Sequence, residues 1–259
     1  MQGFFKEMLV QAGNGLRELF FPRRCLVCGG VLELDEQDIC PACLEELPLT
    51  YQWDIVQNAA FERLARRFEV EDAAALFFFG AESDYRKILY GIKYGGRRRL
   101  GRQMGTLLGT YLLGSQSPAG SRSPAGSRSP AGSRSFEGCQ AVVPVPLHPL
   151  RRWKRGYNQA EDIARGVAAA MGLPLETALL RRRRHTRTQT RLSGAAKARN
   201  VAGAFAAAPR RAAALHAQGI RHLLLVDDVL TSGSTLAACA APLRAAGFRV
   251  SCATLAFVA

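Results

Sequence analysis

The feature that most constrains the fold is an apolar run that ends in two acids and a glycine turn. It spans residues 223–235 and reads Leu-Leu-Leu-Val-Asp-Asp-Val-Leu-Thr-Ser-Gly-Ser-Thr. Continuous apolar residues before Asp227 and Asp228 indicate a buried parallel strand that reaches the carboxyl edge of an open sheet, where ligands of such folds bind. The sequence therefore predicts that both carboxylates face a ligand.

The turn after the acids predicts a phosphate site. It consists of five small residues: Thr231, Ser232, Gly233, Ser234 and Thr235. Because a helix-forming stretch follows at 236–240, the backbone N–H groups of the turn and of the first helical turn can hold a phosphate. The two acids can accept hydrogen bonds from sugar hydroxyls. The segment as a whole therefore suits a sugar phosphate.

Two other interpretations of these residues stay open. A receiver or phosphatase site also places aspartates at a strand end, and a purely structural turn uses carboxylates to satisfy its own backbone N–H groups. A P-loop is excluded, because no Gly-Lys-Ser/Thr tripeptide follows a glycine turn in this chain.

Residues 226–235 resemble the signature of the type I phosphoribosyltransferases, which bind 5-phosphoribosyl-1-pyrophosphate (PRPP). The resemblance implies that Asp227 and Asp228 contact the ribose 2′ and 3′ hydroxyls and that Thr231 to Thr235 cradle the 5′-phosphate. It also implies magnesium, because the metal neutralises the pyrophosphate and orients its oxygens while water fills its other positions.

Four of the seven cysteines predict a structural zinc site. They form two C-x-x-C pairs separated by eleven residues: Cys25, Cys28, Cys40 and Cys43. Each pair presents two thiolates from one tight turn, so the four sulfurs can close a tetrahedron around zinc. The alternative is a redox role for one of the pairs. The three other cysteines occur singly in apolar contexts, which is typical of buried small residues.

The charge of the chain favours anionic ligands. The formal net charge is +14, and much of the excess comes from short arginine runs. Such a balance suits phosphates, pyrophosphate or nucleic acid, although biased composition is an equal explanation. Because no apolar run reaches the roughly 18 residues of a membrane span, and because the first residues lack a secretory pattern, we expect no membrane association and a cytoplasmic location.

The chain divides into four predicted segments. They are an N-terminal helix and zinc module at 1–50, a strand and helices joining the core at 51–113, an insertion at 114–137, and a phosphoribosyltransferase core at 138–259. The insertion contains the hexapeptide Ser-Pro-Ala-Gly-Ser-Arg three times. Its composition cannot bury a core, so we predict a flexible segment whose deletion leaves folding and activity intact.

Alternation of strands and helices predicts the fold class. Apolar runs predict strands at 73–79, 141–145, 177–180, 201–205, 223–226 and 250–258, and helical periodicity predicts helices at 83–94, 100–113 and 158–171. This order indicates an α/β fold with a type I phosphoribosyltransferase-like parallel sheet flanked by helices, preceded by the four-cysteine zinc module.

Further motifs resemble the ComF competence-protein family, also called the GntX group. The matching positions are Cys25 to Cys43, Lys93 to Gly95, Arg155 to Gln159, Thr186 with Gln189, Leu192, and Arg199 to Val201 with Phe205. The match covers nearly the whole chain except the repeats. Gly194-Ala195-Ala196 departs from the polar and acidic stretch that is common in relatives, which predicts different loop dynamics.

The family resemblance implies two loops around the site. Residues 146–158 are implied to face the pyrophosphate, with Arg152, Lys154, Arg155 and Asn158 as ligands. Residues 184–200 are implied to close over the site and to bring in Lys197 and Arg199. Positive charge there stabilises the leaving pyrophosphate, and closure excludes water. The alternatives are a solvated basic face and, for Asn158 and Gln159, a capping role at the following helix.

Three functions follow from these observations. The first is a phosphoribosyltransferase that uses PRPP and magnesium and transfers ribose 5-phosphate to an acceptor that the sequence does not disclose. The second is a non-catalytic DNA-uptake protein that binds single-stranded DNA or a helicase partner, with Trp153 and Tyr157 as the stacking candidates. The third is a regulator that senses PRPP without turnover.

Overall fold

The structure of the chain, a computed structural model, describes residues 22–80, 82–114, 135–147, 153, 155–182 and 203–259. The predicted repeat insertion and the predicted N-terminal helix lie almost entirely outside these ranges. Every helix within them is too short or too polar to cross a membrane.

A four-stranded parallel sheet forms the centre of the fold. Its strands are β1 (Ala73–Phe78), β2 (Ala141–Pro144), β5 (His222–Leu230) and β6 (Arg249–Phe257), in the spatial order β1-β6-β5-β2. Two short strands, β3 (Leu180–Arg182) and β4 (Phe205–Ala207), pair antiparallel with each other in a separate sheet. Of the predicted strands at 177–180 and 201–205, only Leu180 and Phe205 lie in these two strands among the described residues, and the pair does not extend the central sheet.

Seven α-helices lie within the described residues. They are α1 (Pro41–Glu45), α2 (Ala59–Ala65), α3 (Arg86–Tyr94), α4 (Arg98–Leu112), α5 (Gln159–Met171), α6 (Pro209–Ala217) and α7 (Ser234–Ala245). Two 3-10 turns occur at Gln52–Asp54 and Ser135–Gly138. The predicted helices at 83–94, 100–113 and 158–171 correspond to α3, α4 and α5.

The alternating side chains of β5 build a core on each face of the sheet. Leu224 and Val226 pack in the cluster that contains Ile163 of α5 and most of the zinc module's apolar residues. Leu223 and Leu225 pack in the cluster on the other face, which includes α2, α6 and α7. The predicted fold class, a parallel sheet flanked by helices with an N-terminal four-cysteine module, is confirmed.

Helices α4 and α5 approach each other through glycines. A Cβ on Gly105 of α4 would lie 2.1 Å from the carbonyl oxygen of Ile163, and one on Gly166 of α5 would lie 2.0 Å from that of Arg102. Neither position has room for a side chain. Asp162, which is 1% exposed, fixes the same crossing by accepting a hydrogen bond of 2.9 Å from Arg98 Nε.

Strand β5 is longer than the sequence predicts. It continues through both acids to Leu230, because β6 runs alongside to Phe257 and pairs Asp227 with Thr254.

Helices α2 and α6 were not predicted from the sequence. Both helices are rich in alanine and carry little of the periodic apolar pattern that marks the longer helices. Helix α2 begins where Asn58 Oδ1 accepts hydrogen bonds from two backbone N–H groups.

Candidate functional site

The second acid of the pair is buried and held by two side chains. Asp228 is 7% exposed, and its Oδ2 accepts a hydrogen bond of 3.0 Å from Gln159 Nε2. Lys93 Nζ lies 3.2 Å from the same oxygen. The site therefore joins the end of β5, the end of α3 and the beginning of α5. In this structure Asp228 faces protein groups, whereas the sequence predicted only that it would face a ligand.

The first acid lies in a different environment. Asp227 is only partly exposed, and its Oδ1 accepts the backbone N–H of Asp228 at 2.9 Å. Burial, and then the negative charge of Asp228, raise the pKa of Asp227 to about 8, against the opposing effects of that N–H group, Lys93 and Arg182. Its charge also contributes to the raised pKa of Cys239 in α7. Both acids therefore interact with Lys93 of α3, whereas Asp228 also bonds to α5 and Asp227 also interacts with Arg182 of β3 and Cys239 of α7.

The segment before α5 is anchored to the acid site by side-chain bonds. Arg155 Nη1 donates to Gln159 Oε1 at 3.0 Å, and the Arg155 guanidinium lies 4.8 Å from the ring centroid of Tyr94. Asn158 caps α5, because its Oδ1 accepts from the backbone N–H of Ala160 at 3.3 Å. Gln159 does not cap the helix through its side chain, which instead reaches Asp228.

The predicted phosphate turn lies directly between β5 and α7. Gly233 has a φ of 73°, and a Cβ at this position would lie 2.7 Å from Leu64 Cδ2. Only glycine suits this combination of backbone angle and space. The hydroxyl oxygens of Ser232 and Ser234 are 3.0 Å apart, and Ser234 is the first residue of α7. The turn therefore gathers hydroxyl groups and helix N–H groups at one place.

Four predicted site residues lie outside the described residues, so their places in the site stay predictions. These are Arg152, Lys154, Lys197 and Arg199. Strands β3 and β4 flank the predicted closing loop at 184–200.

Lys93 is the site residue whose role the sequence did not disclose. It was identified only as part of a Lys-Tyr-x-Gly turn between two helices. The signal was a cation in the last turn of a helix, just before the Gly95-Gly96 pair, but nothing in the local sequence shows that this helix end meets a strand more than a hundred residues later. Gln159 was likewise assigned no partner.

The four cysteines converge as predicted. Their sulfurs lie within 4.8 Å of one another, and Cys28 Sγ and Cys40 Sγ are 3.8 Å apart. Backbone N–H groups of Gly30 and Cys40 point at Cys28 Sγ and Cys25 Sγ, each at 3.4 Å. Burial opposes ionisation of Cys25, but backbone N–H groups, that of Cys40 first, lower its pKa to about 6. Four clustered sulfurs with N–H···S support fit a closed, structural zinc site.

The zinc module docks onto the helix that carries Lys93. Tyr85 OH donates to the carbonyl oxygen of Cys43 at 3.1 Å, and Lys87 Nζ donates to that of Val27 at 2.8 Å. Arg97, just after α3, forms an ion pair with Asp38. The module therefore contacts α3 at its beginning and just beyond its end, next to the acid site.

Comparisons with known proteins agree with the sequence motifs. Residues 16–53 match the double zinc ribbon domain family. The chain is 37% identical over 97 residues to competence protein F of Haemophilus influenzae, a match covering 38% of this chain and 41% of that protein. It is 38% identical over 96 residues to DNA utilization protein YhgH of Salmonella typhi, covering 37% and 39%. The matches thus span less than half of these relatives. The predicted resemblance to the ComF family is confirmed.

Among solved structures, the chain is similar to a glutamine PRPP amidotransferase from B. subtilis complexed with ADP and GMP. The TM-score is 0.35 at 19% identity, and the match covers 63% of this chain and 30% of that one.

Proposed function

We propose that the chain is a phosphoribosyltransferase that binds PRPP with magnesium and transfers the phosphoribosyl group to an acceptor, with release of pyrophosphate. One observation carries the proposal. Asp227 and Asp228 end a parallel strand next to the Thr231–Thr235 turn, and Asp228 is held by Lys93 and Gln159. Acids, a cation and a phosphate turn are the groups that a sugar phosphate with a charged leaving group requires.

Each part of the site has a proposed role in the reaction. The turn holds the 5′-phosphate through its N–H and hydroxyl groups, and the acids accept hydrogen bonds from the ribose hydroxyls. The bond between C1′ and the pyrophosphate oxygen breaks and pyrophosphate leaves with the bonding electron pair. A bond from C1′ to the acceptor forms, and the acceptor's proton passes to solvent water. When bound, magnesium supplies charge neutralisation at the pyrophosphate oxygens.

Lys93 is proposed to balance the charge of Asp228 in the free protein. Its side chain is 24% exposed, so it can also reach a ligand at the surface of the site. Arg152, Lys154 and Arg155 are proposed to meet the pyrophosphate. Lys197 and Arg199 are proposed to arrive with the closing loop and to exclude water from the oxocarbenium-like centre.

Titration calorimetry of the full chain with PRPP and magnesium tests the proposal, together with an assay of pyrophosphate release across nucleobases and amines. We expect Asp227→Asn combined with Asp228→Asn to weaken PRPP binding by about tenfold or more, because a hydrogen bond from the ribose to one charged carboxylate is worth ~1.5–3 kcal/mol. Glu45→Gln combined with Glu46→Gln removes an adjacent, exposed acid pair and is the matched control. Equal PRPP affinities of the two double variants would refute the proposal.

A second candidate function, binding of single-stranded DNA, is favoured by exposed aromatic residues. Tyr90 and Tyr94 on α3 are 56% and 68% exposed, with ring centroids 6.1 Å apart, and Trp153 is 82% exposed. Rings beside basic residues can stack on bases without sequence preference.

The prediction that Tyr157 stacks on a base is wrong, because this residue is buried and its hydroxyl donates to the carbonyl oxygen of Ile92.

Fluorescence anisotropy with a single-stranded oligonucleotide tests this second function. We expect Tyr90→Ala with Tyr94→Ala to weaken binding by about 1–3 kcal/mol per stacked base, whereas Tyr→Phe changes at both positions preserve it. Binding that persists in the Asp227→Asn, Asp228→Asn variant separates this activity from the transferase. Equal affinities of the alanine and phenylalanine variants would remove the aromatic surface from consideration.

A further inference from the structure

A groove with a strongly basic lining lies beside the phosphate turn. Its volume is about 650 Å³, and it runs between α2 and the end of β5. The charged and hydroxyl groups that line it are Glu62, Arg63, Arg66, Arg67, Thr231 and Ser232. The groove therefore combines three guanidinium groups with one carboxylate and two residues of the turn.

Direct contacts fix α2 against the turn. Arg63 Nη1 donates to the carbonyl oxygen of Thr231 at 2.9 Å and also to that of Val258. Its guanidinium lies 4.2 Å from the ring centroid of Phe257. On the other side of the turn, Asp228 meets Gln159 of α5. The groove therefore lies where the turn meets the end of β6, and the acid site lies where β5 meets α5.

The three guanidinium groups of this groove are opposed by a single carboxylate, that of Glu62. Arg66 and Arg67 are exposed, and among the described residues neither forms a side-chain hydrogen bond or ion pair. Burial, and then the positive charge of Arg66, lower the pKa of Arg63. A bound anion would relieve this crowding of like charges. Guanidinium groups also match phosphate oxygens in bidentate geometry.

We propose that this groove is a second phosphate site, which adjoins the one assigned to the turn at Thr231 and Ser232, and that it takes a phosphoryl group of a phosphorylated ligand. No aromatic residue is among its lining residues, so the groove recognises phosphate and not a base. A small polyphosphorylated molecule and the phosphodiester backbone of a nucleic acid strand share this chemistry. The inference does not depend on catalysis at Asp227 and Asp228.

Calorimetric titration of the full chain with pyrophosphate is the first test. We expect Arg66→Gln and Arg67→Gln each to weaken binding by about tenfold or more, since a hydrogen bond to a charged group is worth ~1.5–3 kcal/mol. Glu62→Gln removes the one carboxylate of the groove, so it should strengthen pyrophosphate binding. This effect is opposite in sign to that of the arginine variants, and a merely structural role of these residues would not produce it. Arg210→Gln is the matched control, because this exposed arginine lies on α6 outside the groove.

Hydrogen exchange provides a local readout that separates this groove from the transferase site. We expect pyrophosphate to protect residues 59–69 in the wild type and in the Asp227→Asn, Asp228→Asn variant, but not in the Arg66→Gln, Arg67→Gln variant. If the arginine variants bind like Arg210→Gln and residues 59–69 gain no protection from any phosphorylated probe, the proposal is overturned even where PRPP binding holds.

A single-stranded oligonucleotide identifies the source of the phosphate. If the ligand is a nucleic acid strand, its affinity falls with salt, and each arginine removed should lower the slope of log affinity against log salt by about one. If the ligand is a small phosphorylated molecule, pyrophosphate affinity responds to the arginine variants and oligonucleotide affinity does not. Either result supports the site. If the arginine variants bind both pyrophosphate and the oligonucleotide as the wild type does, the proposal is contradicted.

Discussion

Lys93 Nζ lies 3.2 Å from Asp228 Oδ2, and this contact joins the end of α3 to the end of β5. Asp228 is buried, so its carboxylate depends on Lys93 and Gln159 for compensation. Because α3 also carries the contacts of the zinc module, the ion pair links that module to the candidate site. The relationship explains why a lysine before two glycines belongs to the site.

Removing the lysine should destabilise the protein. We expect Lys93→Met to lower the free energy of unfolding by about 1–3 kcal/mol, the cost of leaving a buried acceptor without one of its partners. Urea unfolding of the four proteins of a double-mutant cycle with Asp228→Asn measures the coupling, expected at about 0.5–3 kcal/mol. Lys93→Arg, which keeps the charge, is the control. Strictly additive effects of the two changes would show that the pair does not interact.

The pH dependence of stability should report on Asp227. Its pKa in the folded protein is raised to about 8, whereas in an unfolded chain an aspartate titrates near ~3.9. The folded state therefore holds this proton more tightly. The resulting stabilisation is complete below about pH 4 and is lost as the pH rises to about 8, with a slope of at most ~1.4 kcal/mol per pH unit.

Asp227→Asn removes this titration, because asparagine does not ionise. We expect the stability of the variant relative to the wild type to increase between pH 5 and pH 8, as measured by urea unfolding at each pH. Taking the difference between the two proteins cancels the titration of the cysteines and of other acids. A difference that stays constant over this range would show that Asp227 is not protonated in the folded state at neutral pH.

The sequence predicted the elements whose pattern is long and apolar. Strand β5 was identifiable from four apolar residues before the acids, and α4 and α5 from their helical periodicity. Helix α2 was not, because a helix of seven residues whose buried residues are Ala60 and Leu64 has little periodic signal. Pairing with β6 also carried β5 past the point where its apolar run ends.

The part of the candidate site that is local in the sequence could be predicted, and the part that depends on packing between distant elements could not. The acids and the turn are adjacent in the chain, so their proximity follows from local structure. Lys93 and Gln159 reach Asp228 only through the packing of α3 and α5 on the sheet, which no local pattern shows. Arg63 of α2, and Arg66 and Arg67 just after this helix, come next to the turn in the same way, through the close approach of Leu64 to Gly233.

Removal of zinc should loosen α3 as well as the module itself. We expect about one zinc ion per chain by atomic emission, and a lower melting temperature with a strong chelator, because a four-cysteine site contributes folding energy directly. Hydrogen exchange of residues 85–97 should accelerate, since Tyr85 and Arg97 lose their partners on the module.

Cys28→Ser tests the same point without a chelator. Cys28 is exposed, so its replacement by serine removes a ligand without disturbing the core. Unchanged exchange of residues 85–97 in a zinc-free protein would show that the module and α3 are independent. Restoration of the wild-type rate when zinc is added back to the chelated wild type is the control.

The crossing of α4 and α5 should be intolerant of a single methyl group. We expect Gly105→Ala to lower the free energy of unfolding by about 1–3 kcal/mol or more, because its Cβ would lie 2.1 Å from the Ile163 carbonyl oxygen, so the helices must separate. Gly101→Ala on the same helix is the matched control, since its nearest neighbour is Asp162 Cβ at 3.4 Å. There the higher helix propensity of alanine, worth about 1 kcal/mol, should leave stability unchanged or raised. Urea unfolding of both variants tests this expectation. Equal changes in the free energy of unfolding would mean that backbone flexibility, and not the helix contact, determines the effect of replacing the glycine.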